Sequence, residues 1–461
     1  MPPTPISWRV GIAAGVILLV LAAYGLYDSF APSIRPRFQA GMGIVCFLGV
    51  AACCSTSLQS VRRKTLIWGI GLQFALAVAV IHSEWVRAAF EVVGTGIGYL
   101  IKASDAGAEF VFGVLAKPGE MDRAFGKDKG FVFAFKALPP IIFVSSFFSV
   151  LYYLGILQFF VRLMARAMMY VMGTSGAETL SVAANVFMGQ TEAPLIVKPF
   201  VPRMTRSELL ALMGSGMAHI SGGMMAVYIS YGADPVAILC TCVMACPASL
   251  YLTKLILPEA GTPVTLGTAK IDVKTNYVNV IDAASGGVKD GLWLAFNVAA
   301  MLIAFLAFIA LFDFALGGLK PGLVHAGVPA ERLEWWADDL KLETIFGKVF
   351  APVAFLLGVE PGETQKVGSL LGIKLAANEH VAFLKLKEWK AQDGYLSKRS
   401  QDLAVFALTG FANFASIGIQ LGGIGALAPE RRADLAKLGL KALLVGFLAT
   451  LINASIAGLL M

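Results

Sequence analysis

Asn185 to Pro194, NVFMGQTEAP, is rich in polar, small and helix-interrupting residues and lies between two apolar half-segments, residues 178–184 and 195–201. A carboxylate at membrane depth costs roughly 2.5 to 3.5 kcal/mol on insertion scales, so Glu192 in such a place points to a site that lines a cavity. Thr191 can cap the half-helix that follows, and Pro194 is tolerated in a first turn, where amide donors lack partners. Gln190 and Thr191 then present donors and acceptors to the cavity. Glu192 adds a carboxylate that accepts from a ligand N–H or O–H, binds a cation, or pairs with a lysine such as Lys198.

A second polar tip stands at Asn378-Glu379. Farther on, Asn413 and Ser416 are three residues apart and so share a helix face. A carboxylate, an amide and a hydroxyl aimed at one cavity suit a neutral ligand with several hydroxyls, such as a sugar; Asn413 alone can also serve helix packing. Phe411 packs, or covers a planar ligand beside this face. His219 admits three roles, a satisfied packing group, a cation neighbour or a proton site. Asn185 can offer an oxygen to a hard cation such as sodium, together with backbone carbonyls freed where a helix breaks.

These residues need a membrane around them, and the composition supplies one: 57% hydrophobic, 15% charged, with a mean hydropathy of +0.74. That lies outside the soluble class and marks an all-α polytopic membrane protein. In such a chain the net charge of +7 belongs to cytoplasmic loops rather than to nucleic-acid binding. The six cysteines fit no zinc or redox template and read as small packing residues. Nothing resembles a nucleophile-base pair or a phosphate-cradling loop, so no enzyme is expected and no cofactor beyond a coupling ion.

On a ruler of about twenty helical residues per crossing, nine spans are expected, near residues 10–27, 38–54, 65–83, 137–160, 208–231, 235–256, 291–316, 403–426 and 437–460. The first lacks a convincing cleavage site and reads as a retained span. Basic clusters at Arg62 to Lys64, Arg162 and Arg166, Arg203 and Arg206, and Arg431-Arg432 place the N-terminus in the cytoplasm, although the lysine-rich region 317–402 then falls outside. Trp85 to Ile101 has the period of an interfacial amphipathic helix, and Asn276 to Leu292 is a candidate for a second.

Residues 175–202 and 363–389 are apolar but broken in the middle, which predicts two re-entrant helical hairpins with tips buried in protein or facing water. The halves echo each other with a period of about 190 residues: Glu192 and Glu379 sit on the tips, and Gly216 to Ser221 matches Gly410 to Ser416 in kind. Each copy has an odd number of crossings, so the second enters upside down, the inverted repeat of secondary transporters. The expected organisation is residues 1–130, peripheral spans and an interfacial helix; 131–256, the first repeat; 257–290, an interfacial connector; and 291–461, the second repeat.

GQTEAP (Gly189 to Pro194), NEHVAFL (Asn378 to Leu384) and GFANFASIGIQLGGIGAL (Gly410 to Leu427), in this order, closely resemble motifs of the concentrative nucleoside transporter family. The likeness runs more loosely from about residue 37 to the end. It implies a homotrimer in a bacterial inner membrane whose mobile transport domains move like elevators and take up nucleosides with a cation. By motif, Gln190, Thr191 and Glu192 would contact the base, and Glu379, Asn413 and Ser416 the ribose. The family's sodium site would fall on Asn185, the main-chain oxygen of Met188, His219 and Ile220. Here the sequence departs from similar sodium-coupled members, which carry a small hydroxyl residue where it has His219. Thr191 and Glu192-Ala193-Pro194 resemble the sodium-coupled branch, which favours sodium over the proton. A carrier of another neutral polar solute is the alternative; from other classes, an intramembrane enzyme or a channel.

Overall fold

The computed structural model describes residues 1–126, 130, 132–267, 277–329 and 340–461. Its regular structure is helical, without a strand among the described residues. The peripheral helices come first: α1 (Ile6–Gly25), α2 (Arg35–Cys53), α3 (Arg63–His82), α4 (Glu84–Phe112) and α5 (Pro118–Phe125). Two sets of elements follow in the same order. The first is the short α6 (Phe133–Lys136) leading into α7 (Leu138–Tyr153), then α8 (Ile156–Met172), the broken pair α9 (Gly176–Ala184) and α10 (Ala193–Ile196), a second broken pair α11 (Arg206–Ala218) and α12 (Gly222–Ser230), and α13 (Pro235–Ile256). The second is α14 (Val280–His325), α15 (Leu342–Leu356), α16 (Thr364–Ala376) with α17 (Glu379–Lys390), α18 (Lys398–Leu408) with α19 (Phe414–Leu427), and α20 (Arg432–Leu460).

Eight stretches among the described residues are long and apolar enough to cross a membrane. The ninth expected span, 403–426, is divided between α18 and α19, because Thr409 to Asn413 leave helical geometry. The span expected over 137–160 stops at Tyr153; after Gly155 the chain starts α8, an amphipathic helix that buries Leu157, Val161, Ala165, Met168 and Met172 and leaves Arg162 and Arg166 exposed. Those arginines are therefore on a helix face, not in a loop. The expected interfacial helix from Asn276 is also corrected: from Val280 onward, residues 280–292 continue into one helix of 46 residues. At 1.5 Å per residue it is about 69 Å long, twice the hydrocarbon thickness. Residue 276 lies outside the described residues. The amphipathic helix from Trp85 is longer than expected, reaching Phe112.

The core is formed by the broken helices and by α13 and α20, which are buried almost throughout, whereas α1 buries only Ala23. α7 packs along α14, α15 along α16, and α20 against α11 and α13. The α7–α14 seam is close: a Cβ at Gly287 would lie 2.6 Å from Ser146 Cα, and one at Gly291 2.7 Å from Ile142 Cα.

The half-helices of the pairs α11–α12 and α18–α19 are capped from their own sequence. Thr205 and Ser397 cap α11 and α18, and Ser221 and Asn413 cap α12 and α19. The two breaks meet, with the Phe411 N–H donating to the His219 carbonyl at 3.1 Å. Gly410 makes the meeting possible: its φ is +154°, and a Cβ there would lie 3.0 Å from the Ala218 oxygen. At the outer end of the first unit, Lys254 Nζ lies 2.7 Å from Glu178 and 3.2 Å from Glu259, tying the start of α9 to the end of α13.

A buried polar cluster links α3, α13 and α20. Gln73 Nε2 donates to Asn453 Oδ1 at 2.7 Å, the Tyr251 hydroxyl donates to Gln73 Oε1 at 2.8 Å, and Asn453 Nδ2 donates to the Thr241 carbonyl at 3.2 Å. Gln73→Leu strands the Tyr251 hydroxyl and the Asn453 oxygen together. The expected cost is about 1 kcal/mol, read as a lower thermal unfolding midpoint in detergent; an unchanged midpoint would show that the cluster is not stabilising.

Candidate functional site

Asn378 opens α17 by accepting from the Val381 N–H at 2.9 Å, which puts Glu379 in the first turn, where free amides and the helix dipole favour a carboxylate. Its two oxygens are both taken. Oε1 accepts from the Tyr228 hydroxyl at 2.9 Å and Oε2 from Asn413 Nδ2 at 3.0 Å. The Tyr228 ring stacks on Phe383 at 4.2 Å, which fixes the direction of its hydroxyl. Asn413 has a second bond: its Oδ1 caps α19 by accepting from the Ser416 N–H at 2.9 Å. Ser416 Oγ then accepts from Gln190 Nε2 at 3.2 Å, and Gln190 Oε1 accepts from Gln420 Nε2 at 3.1 Å.

Gln190, Glu379, Asn413 and Ser416 thus form one connected set drawn from both broken hairpin segments and the second broken helix. Thr191 lies against α19, its Cγ2 being 2.8 Å from where a Cβ on Gly423 would stand. It does not cap α10, whose N-cap is Glu192 with helical backbone and no side-chain bond. Nor is the return limb helical over the half-segment 195–201: α10 ends at Ile196, because Pro194, Pro199 and Pro202 remove amide donors along it. Phe411 is half-buried and touches the site through its backbone bond to His219.

Glu192 faces another way. Its Oε2 accepts from the Gly189 N–H at 3.1 Å, and it lines a cavity of about 270 Å³ together with Phe187, Met188, Ser221, Tyr277 and Asp290. Glu379 does not line that cavity, so the carboxylates of the two hairpin tips do not share one chamber. Gln190, two residues from Glu192, makes the connection instead.

The four residues expected around a cation lie where α9 ends and where α11 breaks. Asn185 Nδ2 donates to the Ser181 carbonyl at 3.2 Å and to Ser215 Oγ at 2.9 Å, while its buried Oδ1 has no hydrogen-bond partner among the described residues. Met188 and Ile220 are held near each other by the Gly222 N–H, which donates to the Phe187 carbonyl at 3.1 Å. His219 Nδ1 is 2.7 Å from the Ser215 carbonyl and Nε2 3.4 Å from Cys246 Sγ, so the ring is occupied by its own neighbours. Cluster ligands of the His, Cys, Asp and Glu type are absent among the described residues. A free amide oxygen beside carbonyls of a broken helix suits a hard monovalent ion better than a transition metal.

Gln420 and Tyr228 were not anticipated. Gln420 is four residues beyond Ser416, on the same face, a spacing that was there to be read. Tyr228 carries no such signal, because it lies in an apolar run and reaches Glu379 only through tertiary packing.

Residues 42–115 match the family described as "Na+ dependent nucleoside transporter N-terminus", residues 134–235 "Nucleoside recognition", and residues 237–458 "Na+ dependent nucleoside transporter C-terminus". An uncharacterized transporter of Haemophilus influenzae is 38% identical over 91% of this chain and 96% of its own. Sodium/nucleoside cotransporter 1 of Rattus norvegicus is 38% identical over 98% of this chain and 67% of its own. Among solved structures, CNTnw in an inward-facing substrate-bound state is 35% identical and superposes with a TM-score of 0.83, covering 92% of this chain and 97% of that one.

The Tyr228–Glu379 bond can be measured by a double-mutant cycle. Tyr228→Phe removes a donor from a buried carboxylate and is expected to cost about 1.5 to 3 kcal/mol. On a Glu379→Gln background the same change should cost much less, and equal unfolding shifts on both backgrounds would contradict the bond.

Proposed function

Since the chain belongs to the Na+-dependent nucleoside transporter family, whose members are transporters and not enzymes, we propose that it takes up nucleosides such as uridine by symport with a cation. The observation that carries this reading is the connected set of Gln190, Ser416, Asn413 and Glu379, which joins the two halves at a point rich in donors and acceptors. A ribose offers hydroxyls that can donate to Glu379 and accept from Asn413, exchanging with bonds the protein makes to itself. Ser416 completes that side. Gln190, Thr191 and Glu192 meet the base, with Phe411 as an apolar cover. Two carboxylates near the path disfavour an anionic ligand.

The cation sits at Asn185, the main-chain oxygen of Met188, His219 and Ile220, and sodium is favoured over the proton. The free Asn185 oxygen supports this assignment. With its ring engaged by Ser215 and Cys246, His219 contributes through its carbonyl. One cation moving inward gains about 2.3 kcal/mol per 100 mV, or roughly fifty-fold in substrate ratio. The protein works as a homotrimer in a bacterial inner membrane, N-terminus in the cytoplasm. Its two hairpins are re-entrant from opposite faces, and the bundle holding them moves as an elevator against the peripheral helices.

Labelled uridine uptake into liposomes, with a sodium or a proton gradient imposed singly, tests the reading. Sodium is expected to drive accumulation, Glu379→Gln to abolish it while the protein stays folded, and uptake indifferent to both gradients would defeat cation coupling. His219→Ser is expected to leave uptake sodium-driven with a stronger sodium dependence; no change in that dependence would show that the side chain at this position plays no part in ion binding.

A further inference from the structure

The interval from Thr205 to Ser397 equals that from Ser221 to Asn413, so the caps of both half-helices align the two repeats without a gap. The same interval carries Ser215 onto Ala407. In the first repeat Ser215 is where the end of α9, the break after α11 and α13 converge: Asn185 donates to its hydroxyl, and His219, which is near Cys246, meets its carbonyl. In the second repeat the matching point holds an ammonium. Lys374, from α16, donates to the Ala407 carbonyl at 2.7 Å and to Thr450 Oγ1, on α20, at 2.9 Å.

Lys374 is fully buried, and no carboxylate lies within ion-pair distance of it among the described residues. An ammonium so placed is costly. What faces it is what a small cation seeks: a carbonyl in the last turn of α18, at the negative end of the helix dipole, a hydroxyl, and the Phe447 ring with its centroid 5.7 Å away. One repeat therefore presents an amide with a free oxygen, and the other a positive charge bonded to the chain. Five residues after Lys374 comes Glu379, at the start of α17.

We propose that Lys374 is a fixed cation of the second repeat, at the junction that matches the one flanking the mobile coupling cation in the first, so that a single free cation accompanies each substrate. The proposal rests on the cation position read at Asn185. Lys374 is a positioning residue: its charge holds hairpin residues 364–390 to the end of α18 and to α20.

The test uses the full chain in liposomes, with uridine uptake measured against sodium and with propylammonium added. Lys374→Met keeps volume without charge, and its uptake should fall about 100-fold while the protein remains folded. Lys374→Ala vacates the place. Its uptake should be equally low and recover about tenfold with propylammonium, or recover at high sodium with a Hill coefficient rising from about 1 toward 2. Lys374→Met uptake within about threefold of the parent, or a folded alanine variant that responds to neither ion, overturns the proposal. If neither variant folds alone, folding restored by propylammonium supports it and no restoration overturns it. Parent uptake that ignores cation gradients would instead overturn the transport reading, a result separable from either variant's.

Discussion

Helix ends placed inside an apolar protein leave amides and carbonyls that no water can reach, and this constraint governs the molecule. Four half-helices converge on the middle of the chain's core, and each brings up to four such groups. The side chains at the centre answer that demand. Asn378, Ser221 and Asn413 cap helix starts, Lys374 holds a carbonyl of a helix end, and the Phe411 and His219 backbones pair with each other. The groups that satisfy the breaks are therefore the groups available to a polar ligand. Structural necessity and the proposed recognition draw on the same atoms, Asn413 most plainly, since its oxygen caps α19 while its nitrogen bonds Glu379.

That overlap explains what could be read from the sequence. Polar residues in apolar runs are conspicuous, and Asn185, Gln190, Glu192, His219, Glu379 and Asn413 stood out for that reason. The breaks after Ala184 and Ala376 and the repeated order of elements were legible too, because glycine, proline and capping residues mark them. Lengths and directions were not. The merger of a supposed interfacial segment into α14 follows from a helix with no proline before Pro321, which hydropathy alone divided at its polar start. The bounds of the break within 403–426 were not legible, because Phe411 and Ala412 continue the apolar pattern through the gap.

Side-chain direction was the least legible property. Glu192 and Gln190 are two residues apart on one loop, yet one faces the cavity beside Tyr277 and the other bonds α19. Period gives no direction where the backbone is neither helix nor strand. Likewise the ring of His219 turns toward Ser215 and Cys246, a choice made by cysteines whose spacing alone suggested only packing. The proposed cation site accordingly uses oxygen atoms of the backbone and of Asn185.

The α7–α14 seam carries a mechanical consequence. Glycines at 287 and 291 let the two helices touch backbone to backbone, leaving no room for a methyl group. These helices stand at the start of the two sets of elements, α7 just after the short α6, so the close fit fastens the two copies to each other. The seam therefore cannot slip by even a methyl's width without parting, and any relative displacement of the two sets has to arise in elements other than α7 and α14.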